Sequence, residues 1–129
     1  MKRATTDRLL LDGIAGKIEV DVSDPGPSSG ALRRGIALIA HPHPLMGGTK
    51  DNKVVTTLAR TFSALGYVAL CPNFRGVGAS AGVHDEGRGE TADLIAVARY
   101  AQDKYGALPL LCAGFSFGSF VQTRVAKEL

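Results

Sequence analysis

A serine between two glycines is the residue of this sequence best suited to chemistry. Ser116 lies in a G-x-S-x-G pattern (residues 114–118) that directly follows the apolar run 108–113. The pattern is typical of a sharp turn from a strand into a helix, which exposes the serine as a nucleophile for acyl transfer. Gly114 and Gly118 lack the Cβ atoms that would collide in such a turn. A serine that only caps a helix is the alternative, and the apolar residues before and after the motif favour the nucleophile.

Two backbone amides are candidates for stabilising the negative charge that develops on the substrate oxygen. The N–H of Phe117 lies at the start of the predicted helix, where the helix dipole favours an anion. The N–H of His43 is the second candidate, since it lies between two prolines in the rigid segment His41-Pro42-His43-Pro44. Gly47 and Gly48 follow and allow the backbone to approach a ligand closely. We therefore predict an oxyanion hole formed by the amides of residues 43 and 117.

The elements that position these residues can be read from the hydrophobic pattern. Three continuous apolar runs suit buried strands, and each precedes a segment with helical periodicity; the strands are 35–40, 67–71 and 108–113. Three βα repeats predict a mostly parallel sheet in a three-layer α/β/α sandwich. Two alternating segments, 9–12 and 14–22, predict antiparallel strands at the N-terminus, joined by a hairpin turn at Asp12-Gly13. Ligands bind at the carboxyl ends of the strands in such sheets, where the histidine- and glycine-rich segments fall.

Composition narrows the class of protein. The 129 residues are 45% hydrophobic and 21% charged, which fits one globular domain over 1–129. The formal charge of +3 comes from scattered Lys and Arg, so nucleic acid is not an expected partner. The apolar run 9–11 is too short for a signal sequence or a membrane span, and we expect a cytoplasmic protein without a membrane partner. Cys71 and Cys112 are expected to be small buried hydrophobes, linked by a disulfide only if their strands are neighbours.

Three stretches of the chain together resemble the α/β-hydrolase superfamily, specifically its small bacterial dienelactone hydrolase-like and esterase-like members. They are the segment from His41 to Lys53, the segment from Asn73 to Ser80, and the motif around Ser116. The resemblance implies that Ser116 is the nucleophile and that Phe117 and His43 supply the oxyanion amides. It also implies that the second segment, which includes Arg75, supports the site. The expected ligand is a small-molecule acyl substrate, with no cofactor and no metal.

The resemblance covers nearly the whole chain but only the first part of such enzymes, through the helix after Ser116. In those relatives the acid and the general-base histidine of the triad lie further along the chain. We therefore expect a truncated α/β-hydrolase domain, incomplete at its C-terminus, with the acid and the base missing from this chain. An oligomer or another chain that completes the domain is the alternative.

The three histidines offer weaker alternatives. The loop His84-Asp85-Glu86 contains a base and carboxylates, but sequence neighbours seldom present the geometry of a triad, and His84 is expected to be a solvated loop residue. His41 is expected to pack and hydrogen-bond beneath the oxyanion segment or to contact the substrate. The pair His41 and His43 could ligate zinc for metal-assisted hydrolysis, although the sequence fixes no third ligand.

The sequence thus predicts a serine hydrolase that acts on a carboxylic ester or related acyl compound through a Ser116 acyl-enzyme. The main alternative is a catalytically incomplete fragment or a non-catalytic interaction protein. Metal-assisted hydrolysis is the weaker alternative.

Overall fold

The computed structural model describes residues 5–26 and 33–129, and within them strands and helices alternate from the third strand onward. The strands are β1 (Thr5–Gly13), β2 (Gly16–Asp24), β3 (Gly35–Ala40), β4 (Tyr67–Pro72) and β5 (Leu110–Gly114). The helices are α1 (Lys53–Ala64), α2 (Arg88–Tyr105) and α3 (Phe117–Glu128), and a 3₁₀ turn spans Pro44–Met46. This order contains the three βα repeats that the hydrophobic pattern predicts.

The strands form one mixed sheet in the order β1-β2-β4-β3-β5. The strand β3 pairs in parallel with both β4 and β5, whereas β2 pairs antiparallel with β1 and β4. The predicted fold class is confirmed, and the parallel part of the sheet is confined to its last three strands in the order of the chain. The two antiparallel strands at the N-terminus and the three parallel strands that follow are those that the sequence predicted.

The sheet is covered by helices on both faces. One apolar cluster joins Ile36 and Leu38 of β3 to Leu94 of α2 and Val121 of α3. The other joins Ile39 of β3 to residues of β4 and of α1, including Ala69 and Val55. All six residues of β3 are buried, as expected for a strand covered on both faces. The layers are thus α1, the sheet, and the pair α2 and α3.

The hairpin turn between β1 and β2 lies at residues 14–15, and the prediction of a turn at Asp12-Gly13 is wrong. In the observed register Leu11 faces Ile18 on the side of the sheet that packs against the apolar cluster. A two-residue turn at Asp12-Gly13 would instead place Asp7 opposite the buried Ile18. The register follows the burial of the apolar face, which outweighs the local turn preference of Asp-Gly.

Three loops meet at the carboxyl edge of the parallel strands. In the register of β3 with β5, Ala40 lies beside Gly114, so these two strands end at the same level. The strand β4 runs parallel to β3 on its other side. The segments that follow the three strands, beginning at His41, Asn73 and Phe115, therefore leave from one edge of the sheet. This edge is where such sheets bind ligands.

The two cysteines lie on strands that are separated by β3. Cys71 of β4 is buried, Cys112 of β5 is half-buried, and both thiols are free. Burial raises the pKa of the Cys71 thiol to about 12. In the part of the chain that the structure describes, no helix has both the length and the apolar character required to cross a membrane.

Candidate active site

Ser116 has a backbone conformation that residues with a side chain rarely adopt. Its φ is 58° and its ψ is −121°. The strand β5 ends at Gly114 and α3 begins at Phe117, so the chain reverses within two residues. A conformation of this kind costs about 1–3 kcal/mol and persists only where the surrounding structure enforces it. The turn leaves Ser116 exposed to solvent.

Two glycines permit this turn. A Cβ atom on Gly114 would lie 2.6 Å from the backbone nitrogen of Ser119. A Cβ atom on Gly118 would lie 2.6 Å from the carbonyl oxygen of His41, directly after the end of β3. Backbone atoms on both sides leave no room for a side chain, so glycine is required at both positions. The first turn of α3 consequently rests on the segment that follows β3.

The segment after β3 folds back on itself. The carbonyl oxygen of His43 accepts hydrogen bonds from the N–H groups of Met46 (3.1 Å) and Gly48 (3.0 Å). Gly47 has a φ of 85°, which favours glycine. A Cβ atom on Gly48 would lie 2.5 Å from the carbonyl carbon of Pro42. The two glycines therefore close a tight loop around the carbonyl of His43.

The backbone N–H groups of His43 and Phe117 are among those at this edge of the sheet that have no acceptor within residues 5–26 and 33–129. The rings of the two residues are in contact, with 4.6 Å between their centroids. Phe117 is the first residue of α3, so its amide also carries the positive end of the helix dipole. The two residues that carry the predicted amides are thus in contact through their side chains.

His41 is fully buried beneath this segment, and both of its ring nitrogens are engaged. Nδ1 lies 2.7 Å from the carbonyl oxygen of Pro42, and Nε2 accepts a hydrogen bond from the N–H of Phe74 at 3.0 Å. Because Nε2 is an acceptor, the proton of the neutral ring is on Nδ1. Burial lowers the pKa of His41 to about 4. In its neutral form, His41 therefore ties the segment after β3 to the loop after β4.

The buried ring predicts a loss of stability in weak acid. Folded His41 stays neutral down to about pH 4, whereas the unfolded chain takes up a proton below about pH 6.5. The free energy of unfolding should therefore fall by about 2 kcal/mol between pH 7 and pH 4.5 through this residue. Urea denaturation across this range measures the effect. His41→Gln keeps a side-chain acceptor without a titratable ring and should lose that part of the pH dependence; an equal slope in both proteins would contradict the assignment.

A buried polar network joins the segments after β3 and β4 to β2. The side chain of Asn73 accepts a hydrogen bond from the N–H of Lys50 (2.9 Å) and donates one to Oε1 of Glu19 (3.0 Å). The N–H of Ala79 also donates to Oε1 of Glu19 (2.8 Å). The hydrogen bond from Ala79, assisted by the one from Asn73, holds the pKa of Glu19 below its usual value. The loop after β4 is therefore fixed by a strand that the sequence motifs did not implicate.

Asn73→Asp tests this network with a substitution that preserves shape. The new carboxylate would still accept from Lys50, but it would lose the donor to Glu19 and place two carboxylates about 3 Å apart. We expect a loss of about 2–3 kcal/mol in the free energy of unfolding at pH 7. The matched control is Asn52→Asp, because Asn52 caps α1 by accepting from Val54 and aspartate caps equally well. Equal stability of the two variants would refute the role of Asn73.

Arg75 joins the loop after β4 to α2. Its guanidinium donates two hydrogen bonds to the carboxylate of Asp93, at 2.9 and 3.0 Å, and both side chains are largely buried. The hydrogen-bonded carboxylate raises the pKa of Arg75. Arg75 thus acts within the loop that borders the site, and its guanidinium is already occupied.

His84 is not a solvated loop residue, and this prediction is wrong. Its side chain is 9% exposed, and Nδ1 lies 3.2 Å from Oε2 of the fully buried Glu90. Glu90 also accepts hydrogen bonds from the N–H groups of Asp85 (2.8 Å) and Gly87 (3.0 Å). The sequence did contain a signal, because a glutamate three residues after a helix cap can bond back to the cap. The hydrogen bond between Gly87 and Glu90 folds the loop toward the protein interior, so His84 is buried as well.

Three apolar side chains of the segments that follow β3 and β5 are exposed to solvent. Leu45, Met46 and Phe115 are 70%, 84% and 43% exposed, so they line no enclosed pocket. Across the described residues no three His, Cys, Asp or Glu side chains are grouped as a metal site would need. Metal-assisted hydrolysis therefore has no ligand set in that part of the chain.

Comparison with known proteins shows close likeness to bacterial hydrolases. An α/β serine hydrolase homologue from Coxiella burnetii is 41% identical with a TM-score of 0.88, and the match covers 99% of this chain and 60% of that one. An α/β serine hydrolase without a lid from Xanthomonas campestris is 42% identical with a TM-score of 0.89, covering 96% of this chain and 56% of that one. This chain therefore spans a little over half the length of these structures.

Sequence comparison gives a consistent result. An uncharacterized protein of Rickettsia prowazekii is 44% identical over 94 residues, which is 72% of this chain and 40% of the relative. Lysophosphatidylserine lipase ABHD12 of Danio rerio is 32% identical over 82 residues, 21% of its own length. No family model matches the chain. The strand order and the likeness to these two bacterial structures together show that this chain has an α/β-hydrolase fold, of which it covers a part.

Proposed function

We propose that this chain carries the nucleophile of a serine hydrolase that cleaves a carboxylic ester through an acyl-enzyme on Ser116. The observation that carries the proposal is the positive φ of Ser116 in a two-residue turn between β5 and α3. A strained, exposed serine at this point is the nucleophile elbow of the superfamily. The strain has no packing purpose, since the side chain is exposed.

The chemistry follows from the position of the hydroxyl. Oγ of Ser116 attacks the ester carbonyl carbon while a general base removes its proton, and the carbonyl oxygen becomes an oxyanion. Collapse of this tetrahedral adduct breaks the bond to the alcohol, which leaves with a proton. Water then attacks the acyl-serine, releases the carboxylic acid and restores the hydroxyl.

The oxyanion in this proposal is held by the amides of His43 and Phe117. Both N–H groups lack an acceptor among the described residues, and the side-chain rings of His43 and Phe117 are in contact. One such donor contributes about 2.7–4 kcal/mol of transition-state stabilisation. The glycines Gly47 and Gly48 support it by holding the loop around the carbonyl of His43. The buried ring of His41 supports it by fixing the start of the same segment.

We assign the general base and its carboxylate to no residue of this chain. His41 has both ring nitrogens engaged and a pKa near 4, so it is unsuited to removing a proton at neutral pH. The relatives are longer than this chain, which supports a domain completed by further residues or by another subunit. We also propose a cytoplasmic location, with which the two free thiols are compatible.

The function is tested by assaying the full product of the gene with p-nitrophenyl esters from acetate to decanoate. The proposal predicts release of p-nitrophenol above the rate in buffer, with saturation in substrate. Residues 1–129 alone should show far less turnover, because the base is supplied from elsewhere. A full product that releases no phenol from any ester of the series would favour the non-catalytic alternative.

A further inference from the structure

His84 is a buried imidazole to which the proposed reaction gives no role. Its side chain is 9% exposed, yet among the described residues neither ring nitrogen has a partner with hydrogen-bond geometry. The 3.2 Å approach of Nδ1 to Oε2 of Glu90 is an electrostatic contact. A buried polar group without a hydrogen bond lowers the stability of the folded protein by about 1–3 kcal/mol. The buried position of His84 therefore requires an explanation.

The ring of His84 touches both residues that carry the proposed oxyanion amides. Its centroid lies 4.8 Å from that of His43 and 5.5 Å from that of Phe117. The rings of His43 and Phe117 are themselves 4.6 Å apart, so the three rings form a closed triangle. One member comes from the segment after β3, one from the loop before α2 and one from the start of α3.

Glu90 holds the loop that carries His84 in place. It is fully buried in the first turn of α2, and its two carboxylate oxygens accept the N–H groups of Asp85 and Gly87. These bonds hold the loop that carries His84 against the site. The exposed Glu86 approaches Nε2 only to 3.8 Å and is 81% exposed, so it adds little.

We propose that His84, held by Glu90, is a positioning residue of the oxyanion hole. The inference rests on the proposed function and adds a residue to it. The ring of His84 packs against the rings of His43 and Phe117 and thereby fixes the separation of their amides. Oxyanion stabilisation depends steeply on that separation, since a displacement of about 1 Å can lower the rate about 10²-fold. The shape of the ring is what this role requires.

The test compares His84→Ala with His84→Phe in the full gene product, using p-nitrophenyl butyrate. His84→Ala removes the ring and should lower kcat by about 10- to 100-fold with KM unchanged. His84→Phe keeps a flat ring of similar size and should restore most of kcat. The unfolding midpoint of each variant is measured alongside, so that a change in folded fraction is separated from a change in kcat.

A pair of inhibitors reports on the oxyanion hole itself. A trifluoromethyl ketone adds to the serine as a tetrahedral anion, and a methyl ketone of the same skeleton binds largely without that charge. His84→Ala should weaken the trifluoromethyl ketone by about the same factor as kcat and leave the methyl ketone unchanged. Equal weakening of both inhibitors, or a His84→Phe variant as impaired as His84→Ala, would overturn the inference.

The proposed function and this inference fail in different ways. If Ser116→Ala still hydrolyses the ester, the proposed function is wrong, whatever the effect of substitutions at His84. If hydrolysis depends on Ser116 but is unchanged in His84→Ala, only the positioning role of His84 is wrong.

Discussion

Replacing Ser116 by alanine is expected to abolish ester hydrolysis while leaving the protein folded. Removal of a nucleophile on which covalent catalysis depends lowers kcat on the order of 10⁶-fold. The substitution removes one oxygen atom from an exposed side chain, and alanine has the same backbone restrictions at φ 58° as serine. The free energy of unfolding should therefore change by less than about 0.5 kcal/mol. Initial rates with p-nitrophenyl butyrate and urea denaturation of the same sample measure both effects.

The control is Ser119→Ala, three positions further along in α3. Ser119 is also exposed and lies in the first turn of α3, which Ser116 precedes. Its hydroxyl has no role in the proposed chemistry, so this variant should keep full activity. A protein in which both variants are active, or in which only Ser119→Ala is inactive, would require another nucleophile.

Gly118→Ala is expected to produce the largest loss of stability among substitutions at this site. The added Cβ would meet the carbonyl oxygens of Ala40 and His41, which are backbone atoms at the end of β3. Neither can move without separating α3 from β3, where Gln122 of the same helix donates to the carbonyl of Leu38 at 2.8 Å. We expect a loss of about 3 kcal/mol in the free energy of unfolding.

Gly114→Ala should behave in the same way, because its Cβ would lie 2.6 Å from backbone atoms of Gly118 and Ser119. Ser119→Ala removes a hydroxyl group from an exposed position of the helix without adding a carbon atom, and it should be nearly neutral. The midpoints of urea denaturation rank the three variants. Glycine variants as stable as Ser119→Ala would mean that the turn is looser than the structure shows.

The fold was largely predictable from the sequence because its strongest signals are local. The strand Gly35–Ala40 is a continuous apolar run, and it lies in the centre of the parallel strands with all six residues buried. A helix follows each of the three apolar runs, as the pattern indicates. The hairpin between β1 and β2 was misplaced because its register depends on which side chains face α2, and a turn motif carries no information about that.

The site was predictable only in the parts that one motif contains. The turn at Ser116 and the need for its two glycines follow from a short pattern with a steric cause, whereas the role of the amides of residues 43 and 117 stays a prediction. The partners that hold these residues in place come from distant positions: Glu19 meets Asn73 across 54 residues. The burial of His84 was not predictable, because its contacts with His43 and Phe117 join three separate segments of the chain. Such contacts depend on the packing of the whole sheet edge.

The most direct test of the account is to find which residue a serine-reactive probe labels. The full gene product is treated with a fluorophosphonate, digested and analysed by mass spectrometry, with Ser116→Ala and Ser119→Ala treated in parallel. The account predicts one phosphonylated peptide, modified at Ser116, that is absent from Ser116→Ala and retained in Ser119→Ala. An unlabelled wild-type protein, or an adduct that persists in Ser116→Ala, would contradict the claim that Ser116 is the nucleophile.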